Sequence, residues 1–133
     1  MTPEQKLKHL ALLKSVDFGA DPLPDPLTPE QLEEVWEQRE GSDDYLQDAI
    51  NEVRCSGTKT GLKCDFSRHY ESDAVAAQYI DGSWVGWTYW YGGGKHGEPE
   101  AVEWMDDAYD LTCEEKQVTV MQRTFTEATT TSR

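Results

Sequence analysis

His96 and Glu98 are the one pair in the chain whose types and spacing suggest acid–base chemistry. No nucleophile motif accompanies them, so no catalytic residues are assigned and the chain is read as non-enzymatic. The run Gly92-Gly93-Gly94-Lys95-His96-Gly97 invites comparison with a phosphate loop. That loop needs G-x-x-x-x-G-K followed by Ser or Thr, but here Tyr89 stands at the first glycine and His96 at the hydroxyl position. What remains is a glycine turn ahead of a short helix starting at Pro99. Its N-terminus would attract an anion with the help of Lys95 and His96, against the opposing charges of Glu98, Glu100 and Glu103. Cys55, Cys64, His69 and His96 match no zinc spacing, and a strand through this region would put Cys64 and His69 on opposite faces. No metal or cofactor is expected.

The acidic residues are arranged more regularly. Glu30, Glu33, Glu34 and Glu37 fall at i, i+3, i+4 and i+7, which makes one stripe along a helix, while Leu32, Val35 and Trp36 lie toward its other side. Glu40, Asp43, Asp44 and Asp48 continue the acid with only Arg39 in opposition. Carboxylates about 5–6 Å apart along a helix imitate a row of phosphates and would attract a groove built from Lys and Arg. With 26 acids against 12 Lys and Arg, and a net charge of −14, direct binding to nucleic acid or an anionic membrane is excluded. The expected partner is a basic protein surface, one that itself binds nucleic acid. A second acidic run, residues 98–115 with Glu103, Asp106, Asp107 and Asp110, extends that surface if it lies on the same side.

A third feature is aromatic. In a strand over residues 83–91, Trp84, Thr88 and Trp90 share one face, and Val85, Trp87, Tyr89 and Tyr91 share the other. An Asp81-Gly82 two-residue turn would pair this strand with residues 73–80, setting Tyr79 opposite Trp84, Ala77 opposite Gly86, Ala76 opposite Trp87, Val75 opposite Thr88 and Ala74 opposite Tyr89. Helices can cover only one face. The other is covered by a Pro-rich connector or by C-terminal segments, or it is exposed and binds a peptide or small ligand. In that alternative reading Trp87, Tyr89, Tyr91, Lys95 and His96 form the patch.

The elements that must position these groups follow from caps and periodicity. Thr2-Pro3-Glu4-Gln5 and Thr28-Pro29-Glu30-Gln31 are the same helix-start signal used twice: an N-cap Thr, Pro at the first position, and Gln completing a capping box. The first helix is expected to run to about Lys14, with Leu7, Leu10, Ala11 and Leu13 as its apolar stripe. The prolines of Asp21–Leu27 make an extended connector. A third helix is expected from Asp43 to Arg54, capped by Ser42 and burying Leu46, Ile50 and Val53. From Leu62 to Glu71 the period becomes two, which predicts a half-buried strand. A last hairpin is expected from 108–113 and 117–125, turning through Glu114-Glu115-Lys116. The fold class is therefore α+β, with N-terminal helices packed on one face of an antiparallel meander. Residues 1–126 form a single domain, with helices over about 3–54 and sheet over about 62–126, and 127–133 form a disordered tail.

Three cysteines without a C-x-x-C pair suit a reducing compartment, and the N-terminus carries neither a signal-peptide pattern nor a membrane span, so a cytoplasmic location is expected. The segment SRHYESDAVAAQYIDGSWVGWTYWYGGGKHGEPEAVEW, Ser67 to Trp104, resembles part of small uncharacterised proteins encoded by bacteriophages and prophages. Phage proteins of this size and acidity are similar in role to anti-CRISPR or anti-restriction inhibitors. The resemblance thus implies an inhibitor of a host nucleic-acid-binding machine, acting in the bacterial cytoplasm.

Overall fold

Thr2 and Thr28 each cap a helix as their shared tetrapeptide predicts, in a computed structural model that describes residues 1–42 and 44–128, without the side chain of His96. Each threonine hydroxyl accepts the N–H of the Gln three residues on, and each Gln side chain accepts the threonine N–H in return. The resulting helices are α1, Pro3–Phe18, and α2, Pro29–Glu40. α1 continues past the expected end near Lys14 and stops where Gly19 takes a φ of 125°, a conformation that favours glycine. Leu12, not Leu13, joins Leu7 and Ala11 in the core, and Leu10 packs at its margin. The proline connector is more than a spacer: its Leu23 and Leu27 pack against that core.

The third helix, α3, spans Leu46–Cys55 and begins later than expected. Ser42 does not cap it; the Ser42 hydroxyl donates to the Gln38 carbonyl at the end of α2. Tyr45 takes the cap position without a side-chain cap bond, and Asp43 lies outside the described residues. Leu46, Ala49 and Val53 are buried, and Ile50 packs at the margin.

Four antiparallel strands follow in sequence order: β1 Thr58–Lys59, β2 Glu71–Gln78, β3 Trp84–Tyr91 and β4 Tyr109–Leu111. The fold is α+β, as expected, but the sheet is smaller than its expected span of 62–126. Residues 62–70 alternate in polarity yet form no strand, and Leu62 and Phe66 are exposed. The hairpin of 108–113 with 117–125 is likewise absent: beyond Leu111 the described residues contain no strand and are exposed. Thr112-Cys113-Glu114-Glu115-Lys116 offers none of the Gly, Asn or Asp residues that adopt turn conformations readily, so nothing folds the chain back. The tail expectation, 127–133, falls mostly on residues outside those described.

The central hairpin is one residue out of the expected register. Gln78 pairs with Trp84, Ala77 with Val85, Ala76 with Gly86, Val75 with Trp87, Ala74 with Thr88 and Asp73 with Tyr89. The connection is a three-residue loop, Ile80-Asp81-Gly82. The Gly82 N–H bonds the Tyr79 carbonyl, the Tyr79 N–H bonds the Ser83 carbonyl, and only Gly82 has a positive φ, 92°. A two-residue Asp-Gly turn needs positive φ at both residues, and Asp81 does not supply it. Asp81 instead accepts from the backbone N–H and hydroxyl of Ser83, an Asx turn that holds the longer loop.

The helices cover the face of β3 that carries Val85 and Trp87, both 0% exposed. Trp104 packs its ring on Trp87 at 5.5 Å between centroids, and the Trp87 indole N–H donates to the Arg54 carbonyl. The second face, with Ala74, Ala76, Thr88 and Trp90, is also buried. The proline connector does not cover it, and of the described C-terminal segments only β4 contributes. Its cover is the 60–70 segment, tied down by Ser72, whose hydroxyl donates to the Asp65 carbonyl, together with Tyr109 of β4. Gly86 makes room for Tyr109: a Cβ there would stand 2.7 Å from the tyrosine ring.

Candidate acidic partner interface

α2 is held by its apolar side, Leu32, Val35 and Trp36, which leaves Glu30, Glu34 and Glu37 exposed on the opposite side. Glu33 does not belong with them. It is half-buried, receives the Lys8 ammonium at 3.0 Å, and accepts a bond from the Gln5 amide. Lys8 also lies 3.5 Å from Glu4 and 5.5 Å from the Trp36 ring, so it ties α1 to α2. Burial alone would lower the Lys8 pKa, but the Glu33 and Glu4 carboxylates outweigh it and hold it above its ordinary value. The expected continuous stripe, lacking any lysine partner, is therefore three exposed glutamates beside one structural ion pair.

Asp44 and Asp48 are exposed at the start of α3, on the segment that follows α2; Asp43 falls outside the described residues. Arg39, the cation expected to oppose this group, is turned inward, with one guanidinium nitrogen donating to the Pro22 carbonyl. Among the described residues no ion pair reaches Glu30, Glu34, Glu37, Glu40, Asp44 or Asp48.

The second acidic run does approach the helices. Partial burial, then the charges of Asp106, Glu4, Asp107 and Glu40, raise the Glu103 pKa. Trp104 and Met105, both buried, anchor this run to the core and hold Glu103 where it feels acids from α1 and α2. Glu4 and Glu40 were not legible as its neighbours, because their approach depends on how the helices cross. The signal available in sequence was an acid-rich segment interrupted by two core anchors, Trp104-Met105.

The alternative aromatic patch does not assemble as expected. Trp87 is fully buried and is no part of any surface. Tyr89 and Tyr91 are half-buried and stacked at 5.4 Å, with Arg54 5.0 Å from the Tyr89 ring. Lys95 is exposed in the glycine loop, and the side chain of His96 is not described. Gly92, Gly93 and Gly94 all have positive φ, and Gly93 packs on the Tyr70 ring, where a Cβ would stand 2.6 Å away. The helix expected at Pro99 is a single 3-10 turn, Pro99–Ala101, too short to present an anion-binding N-terminus.

Among the described residues no helix is long and apolar enough to cross a membrane. The fold and surface define a small α+β domain with helices on one sheet face and unpaired carboxylates on the outer side of α2. Compared with known proteins, the chain matches no family model, no curated protein and no solved structure.

Proposed function

We propose that this chain is a non-enzymatic, phage-type acidic inhibitor or regulator that acts in the host cytoplasm. It binds a basic, nucleic-acid-binding surface of a host defence protein through the outer side of α2. The observation that carries this reading is the row Glu30, Glu34 and Glu37, exposed along one helix side and, among the described residues, without an ion-pair partner.

Folding alone does not ask for acid there. Glu30 sits in the first turn of α2, where the helix dipole favours a carboxylate, but Glu37 and Glu40 sit in the last turn, where it favours a cation. Arg39, the one base in that last turn, is committed to Pro22. Placing carboxylates against the dipole and against each other costs stability, and a cationic partner surface would relieve that cost. Glu103, held near Glu4 and Glu40, adds to the same field.

Affinity purification on the immobilised protein, run in parallel with a Glu30→Lys, Glu34→Lys, Glu37→Lys variant, tests the reading. The expected result is a basic partner that elutes as salt rises and is not retained by the variant. Retention by both proteins, insensitive to salt, would contradict it.

A further inference from the structure

The segment that leaves β4 is chemically unlike the rest of the chain. Lys116-Gln117-Val118-Thr119-Val120-Met121-Gln122-Arg123-Thr124-Phe125 contains two cations and no carboxylate in a protein of net charge −14. It is rich in β-branched residues, yet it forms no strand, and its large apolar side chains stand in solvent: Val118 is 71% exposed, Val120 78%, Met121 78% and Phe125 87%. In extended form it would carry Val118 and Val120 on one face and Met121 and Phe125 on the other, the pattern of a strand covered on both sides.

The sheet has an open place for such a strand. Among the described residues β4 pairs with β3 only and is the last strand of the order β1-β2-β3-β4. Antiparallel pairs alternate between bonded and non-bonded. Because Tyr79 bonds Ser83, the β3 residues at 85 and 87 bond β2, while Trp84 and Gly86 bond Leu111 and Tyr109. The N–H and C=O of Asp110 therefore point away from the sheet, ready for another strand. Beside this edge, on the face away from the helices, lies a groove of about 370 Å³ whose apolar lining includes Leu62, Ala76, Trp84 and Leu111. The edge is acidic, with Asp107 and Asp110 exposed, although the Lys6 ammonium of α1 already lies 2.9 Å from the Asp110 carboxylate.

We propose that residues 116–125 are a donated strand that pairs with the β4 edge of a second copy of this chain, giving a homodimer by reciprocal strand addition. The occupant is a second copy because charge selects it: a cationic strand fits the edge of this acidic body, and each copy carries both halves. Pairing within one chain is disfavoured because residues 112–116 supply no tight-turn residue, whereas pairing in trans needs no turn. The strand brings Lys116 and Arg123, one on each of its faces, to an edge whose Asp107 is exposed and unoccupied by the Lys6 that holds Asp110, and sets an apolar pair over the groove. This inference is independent of the function proposed for α2, whose outer side it leaves uncovered.

Sedimentation equilibrium of the full chain over a wide concentration range tests it, with Val120→Pro to remove a strand donor in a segment that contributes nothing to the monomer core. The expected result is a concentration-dependent dimer in the parent, a monomer with native circular dichroism in Val120→Pro, and at least a tenfold weaker dimer in Lys116→Glu, Arg123→Glu. In a mixture of isotope-labelled and unlabelled chains, NMR contacts between the Val120 and Asp110 backbones should appear between chains. A parent that stays monomeric, a dimer that Val120→Pro leaves intact, or Val120–Asp110 contacts found only within one chain would each overturn it.

Discussion

The Lys8 ammonium lies 3.0 Å from the Glu33 carboxylate, bridging α1 and α2 with both side chains partly shielded from water. This one pair divides the acid of α2 into a member that holds the fold and members that do not. Exchanging Lys8 for Met or Glu33 for Gln should each cost about 0.5–1 kcal/mol, with a coupling of similar size in the double-mutant cycle. Glu34→Gln and Glu37→Gln should leave stability unchanged or raise it, since they relieve repulsion. Chemical denaturation of the four single variants and the Lys8→Met, Glu33→Gln double variant checks the division, and a loss at Glu37 as large as at Glu33 would contradict it.

Glu103 should be a site of stored repulsion. Its folded-state pKa is raised, by burial first and then by Asp106, Glu4, Asp107 and Glu40. A raised carboxyl pKa means the ionised form is disfavoured on folding, so the cost is full above the folded pKa and vanishes below the ordinary carboxylate value. Glu103→Gln should therefore raise Tm at pH 7 and show no gain once the pH is well below 4.5. Added salt should narrow the neutral-pH gain by screening the neighbours.

His9 should contribute the opposite pH dependence. It is buried, contacts the Tyr79 hydroxyl through Nδ1, and burial holds its pKa below the ordinary 6.5. The unfolded chain then takes up the proton first, so the contribution of His9 is full above pH 6.5 and is lost as pH falls through its folded pKa. A His9→Gln variant, which keeps a polar partner for Tyr79, should show a flatter stability profile than the parent as the pH falls below 6.5. Parallel profiles over that window would contradict the assignment.

Gly86 should be intolerant of any side chain. Its backbone needs no special φ, so the effect is purely steric: a Cβ would meet the Tyr109 ring at 2.7 Å and Leu111 at 2.9 Å. Gly86→Ala should cost about 1–3 kcal/mol through overpacking, and Tyr109→Leu in the same chain should recover part of it. A Gly86→Ala protein as stable as the parent would show that β4 does not seat on β3 as described.

Local signals were legible in the sequence wherever chemistry within a few residues decides the outcome. The two Thr-Pro-Glu-Gln caps, the aromatic strand and the α+β class follow from such signals. Long-range geometry was not. Leu62–Glu71 alternates like a strand, but only Glu71 joins β2 and residues 62–70 serve as a cover over Ser72 and its neighbours, because two-residue periodicity reports amphipathicity and not hydrogen-bond partners. Asp81-Gly82 reads as a two-residue turn until Ser83 bonds the Asp81 side chain, which shifts every cross-strand pair by one. Glu33 and Glu34 are adjacent and identical in type, and only the position of Lys8 on another helix separates the structural one from the free one.

The claim that the outer side of α2 imitates phosphates is tested most directly by displacement of labelled duplex DNA from the purified partner. The parent protein should displace the DNA, and the Glu30→Lys, Glu34→Lys, Glu37→Lys variant, equally folded by circular dichroism, should lose that ability by at least about a hundredfold. Equal displacement by parent and variant, or a partner that holds the parent protein and the DNA at the same time, would contradict it.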